Sequence, residues 1–157
     1  LYCMQAPRRN KDYTDMMIVR NTPDDDSKNY LNINDWEWVF NNYKTKKTYQ
    51  QKKMPVPDSI KEILRVYLAH HPDAKELKKK SSAPVPFLVH QDGRAIQTST
   101  DMTRILNKIL GGKVGSSMLR NIFLTDKYSE TAKSLALDAE QMGTSVNTAN
   151  NNYIKQD

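Results

Sequence analysis

Apolar residues along this chain change their spacing near Val56, from short clusters before it to a helical period after it. Met16-Met17-Ile18-Val19 predicts a short strand, stopped by the polar loop Asn21 to Ser27. From Tyr30 to Asn34 apolar and polar residues alternate, the two-residue period of a half-buried strand. Trp36 to Tyr43 continues with aromatic and β-branched residues. A lysine-rich turn follows at Lys44 to Lys47, and Tyr49 to Val56 leads back toward Pro57. These segments predict a small antiparallel β-sheet with a basic hairpin tip. Ahead of them, Leu1 to Tyr13 reads as the end of a helix or a turn leading out of one.

Beyond Val56 the spacing predicts helices. Asp58 or Ser59 caps one in which Ile60, Ile63, Leu64, Tyr67 and Leu68 share a face, ended by His70-His71-Pro72. The two histidines read as capping or solvent-facing. Lys75 to Pro86 is a basic connection containing Pro and Ser, and Phe87-Leu88-Val89 reads as a brief strand before the Asp92-Gly93 turn. Thr98 or Ser99 caps a second helix carrying Met102, Ile105, Leu106 and Ile109, which stops at Gly111-Gly112. Three further helical segments are expected, near Ser116 to Thr125, Ser129 to Gln141 and Val146 to Lys155. A small sheet followed by a mainly helical remainder is an α+β arrangement. At 157 residues the chain suits a single domain with a proper core.

Charge narrows the partners. A formal net charge of +6 and a sequence pI near 9.3 favour a polyanion, through Coulomb attraction and release of condensed counterions. Cys3 is the single cysteine, so neither an intrachain disulfide nor a cysteine metal cluster can form. That usage fits a reducing compartment. No apolar run has the length needed to cross a bilayer and no secretory leader is visible, so an intracellular protein is expected. The acidic run Asp24-Asp25-Asp26 reads as a solvated turn rather than a metal cluster, and no metal or other cofactor is expected.

Three separated segments carry the candidate chemistry. Arg8-Arg9-Asn10-Lys11-Asp12 holds an arginine followed three residues later by an acid. Ser117-Met118-Leu119-Arg120 opens a helical segment, and Met142-Gly143-Thr144 precedes Tyr153 by nine residues, counted from Thr144. The arrangement resembles the catalytic domain of the tyrosine recombinase, or phage integrase, family. That family has an early arginine and acid, a later His-x-x-Arg, and a Leu-Gly-His nine residues before a nucleophilic tyrosine. Its catalytic lysine sits between the first arginine and the helical half, where this chain has its lysine-tipped hairpin. Type IB topoisomerases and telomere resolvases use related chemistry, but the spacing here is closer to integrases.

The resemblance implies a site-specific recombinase acting on double-stranded DNA, of viral or mobile-element type, through a 3′-phosphotyrosine. Tyr153 would be the nucleophile, Arg9 and Arg120 the phosphate clamps and Lys44 the general acid, with Lys46 and Lys47 as rivals. Arg8, Asp12, Ser117, Thr144 and Lys46 would bind phosphate or support. Such residue types suit the reaction. Guanidinium groups match phosphate oxygens in bidentate fashion and neutralise charge that builds in the transition state. A tyrosine can then form a covalent intermediate that conserves the bond for rejoining, and a lysine can protonate the leaving oxygen.

Two positions depart from the family pattern. Ser117 stands where the first histidine is expected and Thr144 where the second histidine or a tryptophan is expected. A hydroxyl can hydrogen-bond a phosphate oxygen but cannot carry a proton near neutral pH as imidazole does. The alternative is therefore a weakened or inactive DNA-binding domain of the same fold. A metal-dependent nuclease using the acidic loop is a more distant alternative. The resemblance also implies an N-terminal core-binding domain in the parent protein, absent from this sequence. It implies a monomer alone, a dimer or tetramer on DNA, and a location where DNA is accessible, the host cytoplasm or nucleus for a viral element.

Overall fold

A computed structural model describes residues 1–153, with the side chains of Tyr49, Asn152 and Tyr153 outside the description. The fold is α+β: a five-stranded sheet accompanied by several helices. The chain divides into two compact units, Leu1–Arg120 and a second beginning at Asn121.

The first unit opens with a short helix, α1 (Asn10–Thr14), which delivers the chain into β1 (Met16–Val19). Then come β2 (Asn29–Asn32), β3 (Glu37–Phe40), a helical turn α2 (Lys46–Tyr49) and β4 (Lys52–Pro55). Helices α3 (Asp58–Ala69) and α4 (Ala74–Leu77) precede β5 (Val85–Pro86), and α5 (Ser99–Leu110) completes the set before α6 begins at Ser116. The strand order is β4-β3-β2-β1-β5.

The sheet is mixed, which corrects the antiparallel expectation. β1 and β2 run parallel, with Met16 opposite Asn29 and Val19 opposite Asn32, whereas the other pairings are antiparallel. Alternating apolar residues identify a strand without fixing its direction. The loop over residues 20–28 is long enough to carry the chain back to the end where β1 started.

β2 also departs from the half-buried pattern, because all four of its residues are buried. Asn29 and Asn32 can be buried because their amides are satisfied. Asn29 Nδ2 donates to the carbonyls of Asp12 (2.9 Å) and Asn42 (3.0 Å), and its Oδ1 accepts from the backbone N–H groups of Asn41 (2.9 Å) and Asn42 (2.8 Å). A buried polar group with such partners avoids the desolvation cost that an unpaired one carries.

Tyr13, Trp38, Phe40 and Phe87 meet edge-on or tilted, with ring centroids 5.6–6.5 Å apart. Around them pack Met16, Ile18, Leu31 and Val56, with Ile60 and Leu64 from α3 and Met102 and Leu106 from α5. Both helices thus bury the stripe that periodicity marks, although Ile63 and Ile109, assigned to the same stripes, are exposed. Thr98 caps α5 by accepting from the Asp101 N–H, and Gly111 ends it at φ 69°, a left-handed conformation that glycine adopts without Cβ strain. His71, read from sequence as capping or solvent-facing, is buried. Its Nδ1 accepts from the Asp73 N–H and its Nε2 lies 3.0 Å from the Pro86 carbonyl.

Two of the three expected C-terminal helices are one. α6 runs unbroken over Ser116–Gln141, because Asp126, Lys127 and Tyr128 contain no helix breaker. Gly143, at φ 65°, follows it. A short turn, α7 (Val146–Thr148), is capped by Ser145, whose Oγ accepts from the Thr148 N–H, and a π-helical turn covers Ala149–Tyr153. Over the described residues the third expected helix is thus an α-helical turn followed by a π-helical one, and Ile154 and Lys155 lie outside the described residues.

Candidate functional site

The short helix α1 fixes the first arginines. Arg9 occupies its N-cap with extended backbone, so Arg8 and Arg9 stand where the chain turns into the helix. Three anchors hold this turn. Asn10 Nδ2 donates to the Ser99 carbonyl and to Thr103 Oγ1 on α5, while its Oδ1 accepts from the Tyr2 hydroxyl at 2.6 Å. The Asp12 carbonyl accepts from Asn29, and the Tyr13 ring lies fully buried in the aromatic cluster.

Arg8 lies flat on the core. Its guanidinium carbon is 3.6 Å from the Phe40 ring centroid and 5.0 Å from that of Tyr43, a cation–π arrangement. Its Nε donates to Asp12 Oδ2 at 3.0 Å. The carboxylate three residues beyond Arg9 therefore pairs with Arg8, its i−4 neighbour on the helix surface. Burial pushes the Asp12 carboxyl above its ordinary range, and the Arg8 guanidinium pulls the other way. Burial also raises the Tyr13 phenol, to about 12.

Arg120, in the second turn of α6, lies back along its own helix. Its Nε donates to the Ser116 carbonyl (3.3 Å) and its Nη2 to Ser117 Oγ (3.1 Å). Ser117 thus orients the arginine that sequence spacing pairs with it. Among the described residues no carboxylate pairs with Arg9 or Arg120, which leaves both guanidinium groups available to an external anion.

These residues share one hollow. A cavity of about 440 Å³ is lined by Pro7, Arg8, Arg9 and Asp12 from the α1 region, by Tyr43, Thr45 and Lys52 from the β3–β4 hairpin, and by Arg120. Four cations face one carboxylate there, and that carboxylate is already engaged. A second hollow of about 370 Å³ shares Arg9 and Arg120 and adds Lys11, Ser99, Thr103, Ser116 and Ser117. Cations and hydroxyl groups line it without any carboxylate. The pair of hollows is suited to phosphate oxygens, with guanidinium groups supplying charge and planar donors.

The hairpin presents its lysines differently from the expectation. Lys44 and Lys47 are exposed at the tip, and Lys44 does not line the cavity among the described residues. Lys46 Nζ is 2.6 Å from Asp26 Oδ2, an ion pair that ties the tip to the acidic loop. In that loop Asp25 accepts from the Ser27 N–H and the Tyr30 hydroxyl, and no cluster of metal-ligating side chains occurs among the described residues. Lys52, the first residue of β4, does line the cavity. Sequence spacing missed it, because its neighbours Gln51 and Lys53 make it look like one more solvated charge.

In the second unit, Thr144 is half-buried and its N–H donates to the Ala139 carbonyl at 2.9 Å. The backbone of Tyr153 ends the π-helical turn, and its side chain lies outside the described residues. No helix is long and apolar enough to cross a membrane among the described residues. Compared with known protein families, with curated proteins and with solved structures, the chain matches none of them.

Proposed function

We propose that this chain is the catalytic domain of a tyrosine recombinase, which breaks and rejoins double-stranded DNA through a 3′-phosphotyrosine. One observation carries the reading. Arg9 and Arg120 come from motifs at opposite ends of the first unit, and they line the same two hollows. In this mechanism the phosphodiester sits in the arginine-lined cavity. Arg9 and Arg120 contact its non-bridging oxygens, Ser117 holds Arg120 in place, and Asp12 with Phe40 fixes Arg8 at the floor. Tyr153 attacks phosphorus as the guanidinium groups neutralise charge building on the oxygens. A hairpin lysine, Lys44 in the family pattern, protonates the departing oxygen. The protein acts as a monomer in isolation and as a dimer or tetramer on DNA, wherever viral or mobile-element DNA is accessible.

The second reading, a weakened domain that only binds DNA, has its own support. No histidine lines either hollow among the described residues, and Ser117 and Thr144 occupy the positions where the family pattern has proton-carrying rings. One experiment separates the two. Nicked duplex DNA carrying candidate sites is incubated with the protein in EDTA and run on a denaturing gel. The recombinase reading expects a band that resists boiling, collapses with protease and disappears in Tyr153→Phe. Salt-sensitive binding with no such band would favour the binding domain.

A further inference from the structure

We propose that the smaller hollow, beside Lys11 and Ser117, seats a second phosphate: the phosphodiester next to the scissile one on the same DNA strand. The inference rests on the strand-breakage reading above and starts from how the two hollows are joined. Arg9 and Arg120 line both, so their side chains form a shared wall. To these the smaller hollow adds Lys11, Ser116 and Ser117, and no carboxylate lines it. Clustered cations without a carboxylate repel one another, and an anion seated among them relieves that repulsion.

The supply of donors exceeds what one phosphate can use. A guanidinium has five N–H groups and no acceptor. Arg120 directs its Nε–H to the Ser116 carbonyl and one Nη2–H to Ser117 Oγ, which leaves both hydrogens of Nη1 and the other of Nη2. Asp12, the carboxylate three residues beyond Arg9, is engaged by Arg8, so Arg9 keeps its own donors. Ser117 accepts from Arg120 and retains its hydroxyl hydrogen to donate. Lys11 belongs to the smaller hollow and not to the larger. Its Nζ lies 3.9 Å from Asp15 Oδ2, an exposed and loose pair of the kind that contributes little and yields readily to a phosphate. Asn10 and Thr103 act differently. Asn10 Nδ2 donates to Thr103 Oγ1 at 2.9 Å, and that hydroxyl donates to the Ser99 carbonyl at 2.8 Å. They form a fixed back wall, while Lys11, Ser117 and the two arginines hold the ligand.

The occupant follows from the sharing of that wall. Two anions in adjoining hollows repel, and a free phosphate ion has only its own contacts to offset the repulsion. A phosphodiester on the same strand is delivered by its neighbour: once the first is seated, the next is present at high effective concentration. Successive phosphates of a strand advance by only about 3.4 Å along the helix axis, a step that suits hollows divided by two side chains. The consequence is directional. One seated phosphate leaves the strand free to rotate about it, whereas two fix its course and so decide which bridging oxygen faces away from the nucleophile. In-line attack depends on that orientation. Lys11 is thus a positioning residue that acts through the neighbouring phosphate.

The test uses the full chain and starts with nicked duplexes of randomised sequence, on which the wild-type adduct formed in EDTA marks the attacked phosphate. That site is then remade with a single neutral methylphosphonate one nucleotide to its 5′ side, one nucleotide to its 3′ side, or well away from it. Wild type is expected to form adduct about tenfold more slowly when one of the two neighbours is neutral, the usual scale for losing a hydrogen bond to a charged group. The distant substitution should leave its rate unchanged. Lys11→Ala should be slowed by a similar factor on unmodified DNA and lose most of its sensitivity to that same neutral neighbour, as expected of two partners in one contact. Lys11 is exposed, so the variant should keep the wild-type circular dichroism spectrum. Lys108→Ala, exposed on α5 and outside both linings, should follow wild type on every substrate. Wild-type adduct formation at full rate with either neighbour neutral would overturn the proposal and leave strand breakage standing. Undiminished sensitivity in Lys11→Ala would place the contact elsewhere and also overturn it. Absence of any wild-type adduct would refute the strand-breakage reading itself, and the proposal with it.

Discussion

Around α1 and β3 the large side chains are buried, and Trp38, Tyr13 and Phe40 are each 0% exposed. Along α6 beyond Arg120 the reverse holds. Ile122, Leu124, Tyr128 and Leu137 are all exposed, and Ala139 is the buried residue of that helix. The two regions have comparable shares of apolar sequence and use them differently. In the first, aromatic rings fill a floor on which Arg8 rests, and buried asparagines pin the backbone on either side. That floor gives the cationic cavity a fixed geometry, as preorganised charge stabilisation requires. The helix after Arg120 gains little from burial of its own side chains, and its order rests on continuous backbone hydrogen bonding and helix-forming residues.

The sharpest way to break this contrast is a pair of truncations. Trp38→Ala is expected to cost about 3–5 kcal/mol, the range for removing a fully buried aromatic ring. Leu124→Ala should fall within about 0.5 kcal/mol of wild type, as surface changes do. Urea unfolding followed by tryptophan fluorescence and circular dichroism measures both. Equal costs would mean that Leu124 is buried by something it does not touch here. A smaller effect is expected from Asn29→Ala. Losing four hydrogen bonds at a buried site should cost about 2–3 kcal/mol, since partners left unsatisfied carry the penalty. Asn29 joins α1 to the base of the hairpin, so amide exchange should quicken at Asn41 and Asn42 before it does on α5. Uniform acceleration across the first unit would show that Asn29 is a generic core residue and not a local clasp.

Much of this architecture is legible in the sequence, and the illegible part has identifiable causes. Periodicity locates α3 and α5 because their inward stripes, such as Ile60 with Leu64 and Met102 with Leu106, repeat at helical spacing. It does not reveal that β1 and β2 are parallel, since direction is set by the loop between them. Nor does it reveal Asn10 and Asn29, whose roles depend on groups brought near by the fold: Ser99 and Thr103 for one, Asn41 and Asn42 for the other. In the cavity, motif spacing selects Arg8, Arg9, Asp12 and Arg120, all of which line it. It selects the tip lysines over Lys52 because a run of charges gives no sign of which member faces inward. Only the strand register separates Lys52 from Lys53.

Asp12 offers the finest measure of how strongly this buried floor governs the charges set into it. Two influences compete at its carboxyl: burial, which disfavours the charged form, and the Arg8 guanidinium 3.0 Å away, which favours it. Burial is the larger, so the folded-state pKa lies above the unfolded value of about 3.9. A carboxyl raised in this way contributes stability that is fully present below the unfolded pKa and is lost as pH rises through the folded one. Asp12→Asn cannot ionise at this position. Its stability relative to wild type should therefore grow as pH rises across that window, by at most about 1.4 kcal/mol per pH unit for a single proton. Unfolding free energies of the two proteins, measured from pH 3 to pH 7 at constant ionic strength, give the slope directly. A difference that runs in the opposite direction would mean that the Arg8 ion pair outweighs desolvation. The floor beneath the cavity would then be governed by charge pairing, and the contrast with the exposed helix would lie in electrostatics more than in packing.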